Sequence, residues 1–448
     1  MILLKNATLV TGASAMKGAL GIDGEFISGI WEEVPDIPGA EVIDLEGRVL
    51  MAGGIDAHVH FREPGMTSKA DIGSESAAAV LGGITSFIDM PNNSPAATTM
   101  EAIEWKLDRA KETSSANYGF HIGATNSNAS QIREYIGSGK GDRFGGIKVF
   151  MGSSTGNMLV DRENALEDLF MIIGKTILIH SEDESIIKRN LANARATFGE
   201  DIPFEYHPMI RSREACVKST AKALELAVKH GTRLHVLHIS TIDEVDMIRQ
   251  AKKDNPLITA ETSANYLWFS DKDYSQMAWK LKCNPAVKAA EDRKALIEAL
   301  RDGTIDTIGS DHAPHLIEEK LKPYLECPSG LPTIQQSLAA VLTIARDNGI
   351  PLTRIASAFS ERAAEIFGIE KRGFLKPGYK ADLIVIDPDK EFIVGRPAHK
   401  CGWSPYEGMT MRGSIDMVWV NGRLAAISGR PAEGMRDSAA EPLSFRTN

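Results

Sequence analysis

An α/β fold, a (β/α)8 TIM barrel joined to a small β-sandwich made from both chain termini, is the architecture the sequence predicts, and three observations predict it. Eight short apolar runs lie between residues 49 and 312. Most are separated by segments of helical composition, the alternation that a barrel of parallel strands requires. The two ends of the chain differ from this middle, being short strand-like pieces punctuated by Gly, Pro and Asp.

The first run is 49–59, and the others are 85–90, 118–124, 146–151, 176–180, 233–239, 257–261 and 305–310. Each has strand length, and eight parallel strands close a barrel. Between them, 69–81, 101–112, 213–230 and 291–302 are rich in Ala, Glu, Lys and Leu at helical spacing. A doubly wound open sheet is the competing architecture. It is disfavoured because no glycine-rich phosphate loop follows the first strand, and because polar residues gather at the C-terminal ends of many strands, the active face of a barrel. Outside the middle, 1–50 is broken by TGAS, DGE and PDIPGAE, and 373–423 continues the style with LKPGYKADLIVIDPDKEF and SIDMVWVNGRLA. Pairing the ends predicts a β-sandwich of 1–52 plus 365–448, with the barrel, 53–364, inserted between them. The tail 428–448 is largely polar, and partial disorder is expected there.

Composition narrows the function. Hydrophobic residues make up 43% of the 448, ample for a large core, and the formal net charge is -10 without a long basic run. Nucleic acid and anionic membranes are thereby disfavoured as partners. The start MILLKNATLVTG lacks the charged and apolar regions of a signal peptide, and no apolar run is long enough to span a bilayer, so a cytoplasmic protein is expected. Cys216, Cys283, Cys327 and Cys401 show no CxxC spacing, which argues against a thiolate zinc site.

The strand ends carry the chemistry. In AGGIDAHVHFREPG, residues 52–65, His58 and His60 stand two apart on an extended run and so point the same way, able to reach one metal ion. Lys148 lies in GGIKVFMG, His180 ends TILIH, His238 ends RLHVLH and Asp311 follows IDTIGS. Taken singly, each has an ordinary structural reading: a snorkelling lysine, a hydrogen-bonded core histidine, a helix cap. Together, at five strand ends on one face, they call for a common cause, because such groups are costly to bury unless paired or bound to metal. Four imidazoles and a carboxylate suit zinc or a similar divalent ion, with more donors than one tetrahedral site uses, so two metals are the simpler reading. His235, three residues before His238, is expected on the opposite strand face; His121, His207, His230 and His399 are expected to be structural or on the surface.

HVHFREPG, DMPNNSP, GIKVFMGSSTG, LIHSED, LHIST and SDHAPH resemble the amidohydrolase superfamily and, within it, the cyclic amidases, most of all the dihydroorotase group. The likeness spans nearly the whole chain, since GFLKPGYKADLIVID and SPYEGMTMRGSI are similar to the β-sandwich portions of that family. It implies a binuclear zinc centre with His58, His60, His180, His238 and Asp311 as ligands and carboxylated Lys148 as the bridge. Asp311 is also the implied catalytic acid and base. Dihydroorotate carries a ring carboxylate that hydantoins and allantoin lack. Arg62 is positioned to clamp it, with Asn92 and His315 resembling two further carboxylate contacts, Asn284 another substrate contact, and Thr155 of SSTGN part of a covering loop. The implied substrate pair is N-carbamoyl-aspartate and dihydroorotate of pyrimidine synthesis. A homodimer, with a transcarbamoylase as a further partner, is implied in the same way.

The sequence also departs from the family pattern. ETSANYLWF, residues 261–269, stands where a PHHL or PHYL stretch is usual, Lys288 replaces a common arginine, Asn93 replaces a common threonine, and many bacterial relatives of this type use an aspartate where Lys148 stands. Three readings stay open. One is a dihydroorotase, a second an allantoinase or hydantoinase that would not need Arg62, and a third an inactive relative acting as a scaffold, which filled ligand positions disfavour.

Overall fold

The computed structural model describes residues 1–151, 158–433, 435 and 440–447. The N-terminal strands are β1 (Ile2–Val10), β2 (Ala15–Asp23), β3 (Phe26–Trp31), β4 (Glu41–Asp44) and β5 (Val49–Ala52). Those of the middle are β6 (Gly54–Val59), β7 (Ile84–Asp89), β8 (Asn117–Phe120), β9 (Ile122–Gly123), β10 (Gly146–Phe150), β11 (Thr176–His180), β12 (Leu234–Val236), β13 (Ile258–Thr262) and β14 (Thr307–Ile308). The C-terminal strands are β15 (Leu383–Ile393), β16 (Thr410–Val420), β17 (Arg423–Ile427) and β18 (Arg430–Pro431).

The middle strands form the predicted barrel. β6, β7 and β8 pair in parallel, and so do β9 through β14. β8 and β9 are one barrel strand interrupted at His121, and the ring closes where His60 N donates to the His312 carbonyl at 2.8 Å. Ile55, Ala57, Ile88, Leu178 and Leu237 fill the interior, so the barrel is packed rather than hollow.

Helices follow the strands where caps start them. Asp71, Thr99, Asp183, Ser212 and Thr241 each accept a backbone N–H of the first turn. The segments expected at 213–230 and 291–302 are the helices Arg213–His230 and Ala290–Asp302, each ended by a left-handed glycine, Gly231 and Gly303.

The run 49–59 is two strands. Its first half, β5, pairs with β1 and β15, whereas β6 belongs to the barrel, and the break falls at Gly53, where a Cβ would collide with Thr85. The termini therefore share one sheet, ordered β18-β17-β16-β15-β5-β1-β2-β3, with β4 beside β1. Period-two alternation gives it two buried faces. Val49, Met51, Ile384 and Ile386 join the barrel core, while Leu50, Ala52, Leu383 and Val385 join Leu4, Leu20, Ile27 and Trp419 in a second core.

Within the tail, where partial disorder is expected, 440–447 is built into the fold. There Leu443 and Phe445 are buried against the barrel interior, and the segment runs beside β8, with Tyr118 N on the Glu441 carbonyl and Leu443 N on the Tyr118 carbonyl. Two well-placed apolar residues outweigh polar composition. No helix among the described residues is long and apolar enough to cross a membrane.

Candidate active site

β6 brings His58 and His60 to the mouth of the barrel side by side. Their Nε2 atoms lie 3.3 and 3.2 Å from Asp311 Oδ1, so the three ligand atoms converge within 4.8 Å of one another. The outer nitrogens are taken: His58 Nδ1 is 2.6 Å from Glu261 Oε1, and His60 Nδ1 is 2.7 Å from Asn92 Oδ1. Both partners are acceptors at these oxygens, so each ring carries its proton on Nδ1 and turns an Nε2 lone pair to the centre, the arrangement of metal-binding histidines.

The next strand ends extend the cluster. His180 Nδ1 is 2.8 Å from His238 Nε2, and the His238 ring lies 5.3 Å from that of His58. Behind His180, Glu182 Oε2 sits 2.9 Å from Nε2 and accepts from Arg211 at 2.6 Å. Burial drives the His58, His60 and His238 imidazoles toward the neutral form, the one that can ligate a cation.

Lys148, in the middle of β10, lines the same pocket, 1% exposed, its Nζ 4.6 Å from the Phe150 ring centre. The other buried lysines have protein partners: Lys106 holds Asp89 and Asn93, Lys175 and Lys288 one carbonyl each, Lys282 two carbonyls and Lys320 three. Lys148 makes no hydrogen bond or ion pair among the described residues. Burial pushes its amine down to about 7 against the pull of Asp311 and Glu261, leaving a buried nucleophilic amine beside a ring of ligands. Four imidazoles, three of them held by a second partner, one carboxylate and a lysine without a hydrogen bond among the described residues fit a metal pair.

The other half of the pocket carries a buried guanidinium. About 90 Å³ of open space lies between the cluster and Arg62, Asn92, Asn284, Ser329 and Gly330. Arg62 is buried, donates from Nε to the Pro314 carbonyl at 3.1 Å, and places Nη2 3.2 Å from His315 Nε2. Asn284 Oδ1 is buried with no hydrogen-bond partner among the described residues. Thr155 lies outside the described residues. Arg62, His238 and Asp311 all hold left-handed backbone, φ 65°, 37° and 47°, where non-glycine residues are strained and which recurs at functional sites.

Several residues were absent from the sequence reading. Glu261 ends a predicted strand run, the same signal that singled out the other ligands, but ETSANYL drew notice only as a departure. Asp89 accepts Phe61 N at 2.8 Å and Lys106 Nζ at 2.5 Å, holding the chain between His60 and Arg62; nothing local in the sequence marks that pair. The departures are internally partnered, Asn93 on Lys106 and Asn265 on the Tyr406 hydroxyl at 2.8 Å. The simple alternation expected for 235 and 238 fails because β12 ends at Val236 and His238 turns left-handed. His235 is buried, 3.6 Å from Glu261 Oε2.

Residues 49–425 match the amidohydrolase family. A dihydroorotase of Methanosarcina acetivorans is 34% identical over 447 residues, covering 95% of this chain and 94% of its own. An allantoinase of Streptomyces avermitilis is 30% identical, with 96% and 97% covered. The solved L-hydantoinase from Arthrobacter aurescens superposes with a TM-score of 0.92 at 26% identity, over 99% of both chains.

Proposed function

The chain belongs to the amidohydrolase family, and from that premise we propose that it is a dihydroorotase, interconverting N-carbamoyl-L-aspartate and L-dihydroorotate in pyrimidine synthesis. One observation carries this reading: a buried guanidinium, Arg62, faces the same small pocket as the ligand cluster, with His315 3.2 Å from it. Clamping a ring carboxylate while the ring amide lies at the cluster is what dihydroorotate needs, and neither allantoin nor simple hydantoins carry that carboxylate.

In this proposal His58, His60, His180, His238 and Asp311 would hold a pair of zinc ions, and the neutral Lys148 amine, by adding carbon dioxide and releasing a proton, would supply a further anionic ligand. When bound, the metal pair acidifies water near neutral pH and polarises the attacked carbonyl. Arg62, His315 and Asn92 fix the substrate carboxylate, and Asn284 donates or accepts at the ring. Asp311 takes the proton of the attacking water and returns it to the departing ring nitrogen; in synthesis the same carboxylate removes the proton from the carbamoyl nitrogen. Glu261 and Glu182 keep His58 and His180 in register.

A second reading, allantoinase or hydantoinase, is favoured by the L-hydantoinase superposition over nearly the whole chain. Ultraviolet assay of dihydroorotate consumption by zinc-loaded protein, beside allantoin and hydantoin, separates the two. Turnover of dihydroorotate is expected; turnover of allantoin or hydantoin without it moves the function to the second reading.

A further inference from the structure

Beyond the carboxylate clamp, the structure assigns a positioning role to Lys69, which we propose fixes the tautomer of His315 so that its Nε2–H points a donor at the substrate carboxylate; the inference rests on the dihydroorotase reading. Lys69 lies outside the pocket lining, seven residues beyond Arg62, and its Nζ is 3.1 Å from His315 Nδ1. An ammonium group can only donate, so His315 Nδ1 must be the bare, accepting nitrogen. On the other side of the ring Nε2 is 3.2 Å from the Ser329 carbonyl, which can only accept. The two partners agree on one tautomer, neutral with its proton on Nε2. Burial, Arg62 and Lys69 all disfavour a second proton on the ring.

That assignment changes the meaning of the contact between Arg62 and His315. With a proton on Nε2, the two groups are donors 3.2 Å apart, and no hydrogen bond joins them. A carboxylate oxygen placed between them would accept from Arg62 and share the Nε2–H that the Ser329 carbonyl otherwise takes alone. Lys69 is itself held by Glu319, Oε1 at 2.8 Å, and Glu319 Oε2 stands 3.7 Å from His315 Nδ1. Removing the ammonium leaves that carboxylate as the nearest polar partner of Nδ1. It would draw the ring proton to Nδ1, leaving Nε2 as a second acceptor facing a negatively charged substrate.

The test compares Lys69→Met and Lys69→Gln with the parent on dihydroorotate and on dihydrouracil, the same ring without the carboxylate. Nitrogen NMR of histidine-labelled protein reads the tautomer in the absence of substrate. For Lys69→Met the preference in kcat/KM for dihydroorotate over dihydrouracil should fall about tenfold, through KM, as befits one lost hydrogen bond to a charged group. The His315 proton should move to Nδ1. Lys69→Gln, which keeps a donor, should recover part of both, and carries the test if Lys69→Met fails to fold. A preference unchanged within about twofold, or a proton that stays on Nε2, overturns the role of Lys69. If the parent protein ignores dihydroorotate, the dihydroorotase reading fails instead, and the NMR result alone then decides the tautomer assignment.

Discussion

Replacing Arg62 with Met removes the anion clamp while disturbing little else. The guanidinium is buried with its Nε–H spent on the Pro314 carbonyl, which leaves both Nη groups for a ligand. Burial lowers its pKa to about 10 against the pull of Asp311 and Asp89, so it stays charged near neutral pH. Methionine preserves the unbranched stem, and the left-handed backbone at φ 65° is equally costly for either residue. A hydrogen bond to a charged group is worth about 1.5–3 kcal/mol, and a fork losing two of them about 3–4 kcal/mol after partial rearrangement. At 1.4 kcal/mol per tenfold, KM for dihydroorotate should rise about 10²- to 10³-fold. The reacting amide is held elsewhere, by the ligand cluster and Asp311, so kcat should change far less. Initial rates by ultraviolet absorbance, with zinc content and thermal midpoint measured on the same preparation, give the answer. An unchanged KM, or an equal loss with dihydrouracil, refutes the clamp.

Three other outcomes are expected. Asp311→Asn should lower kcat by about 10²- to 10⁴-fold while the thermal midpoint holds, the loss typical of a missing proton carrier; retained turnover would place the proton transfer elsewhere. Glu261→Gln weakens the acceptor that orients His58, and chelator competition should show metal affinity about 10- to 100-fold lower, whereas parental affinity would make Glu261 a packing residue. Lys106→Met leaves Asp89 charged and buried, so denaturant unfolding should report a loss of about 3–5 kcal/mol; a loss below about 1 kcal/mol would show that the Phe61 amide suffices to satisfy Asp89.

The alternation of strands and helices was legible because it is local: strand length, helical spacing and caps such as Ser212 before Arg213–His230 are written in neighbouring residues. Gly53 shows the limit of that reading, since one apolar run continues through it and only the collision with Thr85 splits it between two sheets. The same holds for the tail, whose composition reads as disordered while Leu443 and Phe445 find a hydrophobic seat that no neighbouring residue announces.

By itself the sequence determined which groups could do the chemistry: imidazoles, a lysine and a carboxylate at strand ends, with an arginine two residues past the histidine pair. Residue identity and strand periodicity suffice for that, because charged groups interrupting apolar runs need a reason wherever they fold. Only the tertiary structure decided how those groups are tuned. It brought Glu261 from a distant strand to His58, left Lys148 without a hydrogen bond among the described residues, and set Lys69 and Ser329 on opposite sides of the His315 ring. Proton placement depends on contacts of about 3 Å between residues far apart in the chain, and those distances exist only after the barrel has closed.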